Sequence, residues 1–179
     1  MDRGRSNAGA AASEPRAGER EFAISRVLCA PRELVWKAWT DPGDMARWWG
    51  PKAFTNPVCE MDVRPGGLFH YGMRSPDGHE MWGRFGYREI LAPERLVFVI
   101  SFSDEKGGVT RHPMSATWPL EVLNVLSLSE HGDKTTLTLR GVPVNATEAE
   151  RKTFEAGHAS MQQGFKGTLD QLAEYLKQS

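Results

Sequence analysis

Of the five histidines in this 179-residue chain, His158 is the one placed to act from inside a core, because it falls on an apolar stripe. A core histidine with satisfied ring nitrogens is the common occupant of such a position; a polar anchor or acid/base group in an enclosed space is the functional one. Tyr71 and Tyr87 share strand parity with Phe69 and Phe85, so their hydroxyls face the interior if those rings do. Glu89 has the parity of Tyr87, and a buried carboxylate there would be a catalytic signal, whereas pairing with Arg95 would make it structural. The chain has no Gly-x-Ser-x-Gly elbow, no His-Glu-x-x-His, no phosphate-binding glycine loop and no histidine pair at ligand spacing. On this reading no catalytic residue, metal site or cofactor is assigned.

The composition narrows the partners. Apolar residues make up 40% and charged residues 25%, with 22 basic against 23 acidic residues and a formal charge of -1, as expected of one globular domain. No run of lysine and arginine forms a phosphate-tracking stripe, so nucleic acid is not expected as a partner. Cys29 and Cys59 lie thirty apart without a second pair, which suggests two reduced, buried thiols and a cytoplasmic setting. The first twenty residues, MDRGRSNAGAAASEPRAGER, have the composition of a disordered tail and lack the apolar centre of a signal peptide. No apolar run reaches the roughly 20 residues that cross a bilayer, so no membrane partner is expected. The domain plan is therefore a tail over 1–20 and one folded domain over 21–179.

Those candidate residues need elements to hold them. EFAISRVL, from Glu21, alternates as a strand, and Pro31 opens a short helix whose apolar residues Leu34, Val35, Trp36, Ala38 and Trp39 cover a wide arc. Asp41-Pro42 caps and starts a second short helix that Gly50-Pro51 ends. Between them stands the pair Trp48-Trp49; neighbours diverge on a helix by about 100° and on a strand by about 180°, so one of the two is expected to need a second apolar surface. After Pro57, consecutive hairpins follow: VCEMDV, LFHYGMR, HEMWGRFGYREIL, RLVFVISFS, then LEVLNVLSLSE and KTTLTLRG. The stretch Asp104 to Pro119 is too long for a tight turn and is a candidate lid. From the Thr147/Glu150 capping box to Leu176 one continuous helix is predicted, with Phe154, His158, Met161, Phe165, Leu169, Leu172 and Leu176 in its apolar stripe. Gly157 and Gly164 on the stripe's edge suggest close backbone approach or room for a ligand.

This order resembles the helix-grip fold of the START-like superfamily, an α+β fold in which a curved antiparallel sheet of about seven strands wraps a long C-terminal helix. APRELVWKAWTDPGDMARWWGP, DVRPGGLFHYGMRSPDG, GYREILAPERLVF and GFKGTLDQLAEYL are similar to the bacterial branch related to the activator of the heat-shock protein 90 ATPase. The resemblance runs from about Glu21 to the end of the chain. It implies a space between sheet and helix, closed at one end by the two short helices, with one tryptophan of the pair lining that end. Relatives commonly have Gly-Trp where this chain has Gly164-Phe165, so pocket size is not carried over.

The leading expectation is non-enzymatic binding of a small apolar or aromatic molecule in that space, with a stress-related role implied by the resemblance. Cavity-lining candidates are Trp36, Trp48, Trp49, Phe69, Tyr71, Phe85, Tyr87, Phe98, His158, Met161 and Phe165. Trp82 and Trp118 are open between pocket, interface and packing. Two alternatives stand beside it. One is an enzyme of the cyclase, hydratase or isomerase kind using His158, Tyr87 or Glu89. The other is a chaperone-interaction module, ranked lower because the founding co-chaperone has a separate N-terminal domain where this chain has a polar tail. The chain is read as a monomer or homodimer.

Overall fold

The computed structural model describes residues 21–179; the tail expected over 1–20 lies outside the described residues. The elements run β1 (Phe22–Leu28), α1 (Arg32–Thr40), α2 (Pro42–Trp48), β2 (Thr55–Met61), β3 (Leu68–Arg74), β4 (Glu80–Leu91), β5 (Arg95–Ser103), β6 (Val109–Thr110), β7 (Val122–His131), β8 (Lys134–Pro143), α3 (Glu148–Ala156) and α4 (His158–Lys177). The sheet is antiparallel in the order β1-β8-β7-β5-β4-β3-β2, with the two-residue β6 added on β5. This is the α+β helix-grip architecture. The sheet's inner face packs against the C-terminal helical segment and the α1–α2 pair.

Local chemistry explains most element ends. Asp41 caps α2 by accepting from Asp44 N at 3.0 Å, and Thr147 Oγ1 accepts from Glu150 N at 3.1 Å at the start of α3. Pro57 is tolerated in β2 because this is an edge strand, and the β2–β3 register shifts between Thr55 and Val58. The Arg64–Gly67 turn is stitched to the sheet: Gly66 N donates to Tyr87 O (2.9 Å) and Tyr87 N to Gly67 O (3.0 Å). Gly66 has φ +84, which favours glycine.

Four expectations need correction. The C-terminal helix is not continuous, because Gly157 (φ -84, ψ -2) separates α3 from α4. A Cβ on Gly157 would lie 3.0 Å from the Trp118 ring, so the break sits where the β6–β7 connection closes on the helices. Gly164 is exposed and has nothing within 4 Å of an added Cβ, so neither close approach nor ligand space explains it. Cys29 is exposed, not buried, while Cys59 is half-buried with its thiol pushed up to about 11 by burial.

The tryptophan pair is the fourth. Trp48 and Trp49 are 1% and 7% exposed and belong to one core. The alternation argument assumed one regular backbone, yet α2 ends between them: Trp49 is its C-cap in extended conformation (φ -68, ψ 134). That turn swings Trp49 back beside its neighbour. Their rings stand at 88° with centroids 5.7 Å apart, and Trp39 lies 4.9 Å from Trp48 and 6.0 Å from Trp49.

Gly164 yields a stability prediction. It lies inside α4 and lacks both crowding and a positive φ. Gly164→Ala is expected to raise unfolding free energy by about 0.5–1 kcal/mol through helix propensity and reduced unfolded-state entropy. Equilibrium denaturation would show this as a higher midpoint at unchanged slope; a lower midpoint would mean that the position does need glycine.

Candidate functional site

The interior divides into a large core and a small cluster of Phe22, Val122 and Phe154. Ile100 and Phe165 pack against both. Where the two meet, the inner sheet face and α4 leave a half-open cavity of about 190 Å³. Tyr71 (β3), Ile100 and Phe102 (β5), Val122 and Asn124 (β7) and Met161 and Phe165 (α4) form its walls, with Met81, Trp82, Ser101, Trp118 and Pro119 completing the lining. No lining residue is charged.

Strand pairing shapes this space. Tyr71 pairs with Gly83, and an added Cβ there would lie 2.3 Å from the Tyr71 hydroxyl, so the phenol lies across the neighbouring strand. Asn124 pairs with Gly141, whose added Cβ would lie 2.9 Å from Asn124 Oδ1. In both pairs glycine leaves the room that a polar head occupies.

Of the residues expected to line a cavity, Tyr71, Met161 and Phe165 come together on it. Trp48, Trp49, Phe69, Phe85 and Phe98 are buried in the aromatic core, and Trp36 packs half-buried against that core. His158 lies edge-on to Phe22 (5.8 Å) and Phe154 (5.1 Å), away from the cavity lining. Tyr87 is 1% exposed with its hydroxyl unpartnered, and burial pushes its phenol well above the ordinary value. Glu89 departs from the parity argument: the β4–β5 register shifts between Tyr87 and Glu89, and the carboxylate emerges exposed, 3.7 Å from Arg95. Asn124 was missed. Its signal was readable as a polar residue on the inward parity of an apolar strand.

The polar groups of the cavity are few. Burial pushes the Tyr71 phenol far up, and the Trp49 indole N–H beside it offsets only part of that. The phenol therefore stays neutral at physiological pH. Among the described residues no group of three or more His, Cys, Asp or Glu side chains could hold a metal ion, and no helix is long and apolar enough to cross a membrane.

The family model for "Activator of Hsp90 ATPase homolog 1-like protein" matches residues 29–177. The chain belongs to this family. A Nitrosomonas europaea crystal structure is 26% identical with a TM-score of 0.71, over 90% of this chain and 96% of that one. A Mycobacterium smegmatis protein is 26% identical with a TM-score of 0.69, over 87% and 90%. An Arthrobacter aurescens solution structure is 25% identical with a TM-score of 0.71, over 93% and 91%. No curated protein matches.

In this Hsp90-activator-like chain the β6–β7 connection forms one wall of the cavity mouth. Trp118 packs on Phe154 at 5.6 Å and over Gly157. Thr153 Oγ1 donates to Thr117 Oγ1 (2.8 Å), and Arg111 lies 3.6 Å from the Glu150 carboxylate. His112 sits edge-on to Phe102 at 4.6 Å, and its Nδ1 accepts from Met114 N at 2.9 Å.

Burial lowers the His112 pKa from its ordinary 6.5. A lowered value in the docked loop means that the undocked loop binds the proton more readily. Docking is thus at full strength above about pH 6.5 and weakens as the pH falls below it. Amide protection across Val109 to Trp118, corrected for intrinsic rates, is expected to fall between about pH 7.5 and about pH 5.5, and His112→Phe should remove the change. Equal protection at both pH values would contradict this.

Proposed function

We propose that this chain is a non-enzymatic binding protein that encloses a small apolar or aromatic molecule between the sheet and α4. One observation carries the reading: a half-open cavity of about 190 Å³ with apolar walls and isolated polar points at Tyr71 and Asn124. That exceeds the roughly 150 Å³ in which a benzene ring is accommodated in an engineered apolar cavity. Few polar groups on a largely apolar wall is the usual composition of a small-molecule site.

The groups that would support an enzyme lie elsewhere. His158 is packed between two phenylalanines, Glu89 points outward to Arg95, and the Tyr87 hydroxyl is enclosed in the core. The unpaired thiols of Cys29 and Cys59 support a reducing, cytoplasmic setting for the same reading.

Met161 tests it. Half-buried in the cavity wall, its side chain can be enlarged into open space. Met161→Trp is expected to cost well under the roughly 1–3 kcal/mol of an overpacked core and to abolish uptake of aromatic probes that the parent binds saturably. Chemical denaturation of both proteins and calorimetric titration with naphthalene derivatives would measure this. A large destabilisation together with no saturable probe binding by the parent would leave a packed fold without a ligand site.

A further inference from the structure

Asn124 is the most anomalous group in the cavity. It is 3% exposed, on β7, opposite Phe98 of β5 and Gly141 of β8. Its amide orientation is determined, because Nδ2 donates to Val122 O at 3.0 Å. Turning the amide over would set Oδ1 against that carbonyl, acceptor to acceptor. Oδ1 is therefore the free end, lying in the room that Gly141 leaves. No described residue donates to it, and it is not fully enclosed, so it presents a free acceptor to the half-open cavity.

A leucine would fill the same position without presenting an acceptor. The side chains of Ile100, Val122, Met161 and Phe165 in the same lining carry no donor for Oδ1. We propose that Asn124 determines ligand specificity, and that the ligand is a neutral, ring-sized apolar molecule bearing one hydroxyl or N–H donor, which Oδ1 receives. Neutrality follows from the lining, which holds no charged side chain to compensate a buried charge. The proposal rests on the cavity being a ligand site, as inferred above.

The test is a ligand series on the unmodified protein. Phenol, anisole and toluene have similar size; phenol alone donates, anisole keeps the oxygen without the proton, and toluene has neither. Phenol is the best hydrated of the three, so a cavity reading size and apolarity alone would prefer toluene. The proposal requires phenol to bind more tightly than both others by calorimetry or ligand-observed NMR. It also requires Asn124→Leu to move the phenol-to-toluene preference at least tenfold toward toluene, with toluene still bound. Toluene or anisole binding as tightly as phenol to the unmodified protein would overturn the role of Asn124 and leave the cavity reading standing. Saturable binding of none of the three would overturn both. If the Asn124→Leu variant fails to fold, Gly141→Ala, which crowds Oδ1, carries the assignment to Asn124: it is required to weaken phenol more than toluene, and equal weakening of both would overturn the role of Asn124.

Discussion

The backbone turn at Trp49 is the constraint from which the interior follows. By leaving the helix there, the chain brings Trp39, Trp48 and Trp49 to one point and sets Trp49 against Phe69, Tyr71 and Phe85 at centroid distances of 6.4, 5.6 and 5.4 Å. Each large aromatic buries about 150–250 Å². At about 25 cal/mol per Å², that is of order 4–6 kcal/mol per indole before entropy costs. The Trp48 indole N–H reaches Ala38 O at 2.9 Å, which ties α2 back to α1. From the other side α4 closes on the same corner: Thr168 Oγ1 and Gln171 Nε2 both donate to Gly50 O, and Tyr175 donates to Asp44 at 2.6 Å.

Filling one end so completely leaves the other end to be shaped by smaller means. Leu169, Leu172 and Leu176, in the C-terminal half of α4, are buried, whereas Phe165 and Met161, about one and two turns before Leu169, are half-buried on the cavity. The apolar stripe thus runs from packed core into open wall along a single helix. Across from it, Gly83 and Gly141 remove two side chains from the sheet at the positions beside Tyr71 and Asn124.

Much of this was legible in the residues. Turn chemistry delimited LFHYGMR and RLVFVISFS at the observed bounds of β3 and β5, and Asp41 and Thr147 marked helix starts through their capping oxygens. Periodicity found the buried stripe of α4. It failed where a regular repeat is interrupted by something outside the segment. The extra residue near Arg88 turned Glu89 outward, Trp118 sits at the break before α4, and the end of α2 reversed the expectation for Trp49. The candidate ring residues were inward-facing as read, yet parity cannot tell which inward rings touch each other and which border a void. That distinction depends on the glycines paired across the sheet, whose partners become visible only with the register.

The division of the interior also separates stability from access. The aromatic corner holds α1, α2 and the C-terminal half of α4 through fully buried rings. The cavity mouth is held differently, by Trp118 on the helix break, His112 on Phe102, one hydroxyl–hydroxyl bond and the Arg111–Glu150 pair. Arg111 is about half exposed while the Glu150 side chain is buried, so solvent screens the pair only in part. Moving the β6–β7 connection would therefore disturb the small cluster around Phe154, the His112–Phe102 contact and the Glu150 carboxylate, and leave the tryptophan corner in place. A ligand could enter by displacing this segment while the tryptophan corner stays intact, because no contact of Trp39, Trp48 or Trp49 with another aromatic ring involves the connection. Local opening at low free energy beside a rigid core is the arrangement that lets a buried site exchange its contents without unfolding the domain.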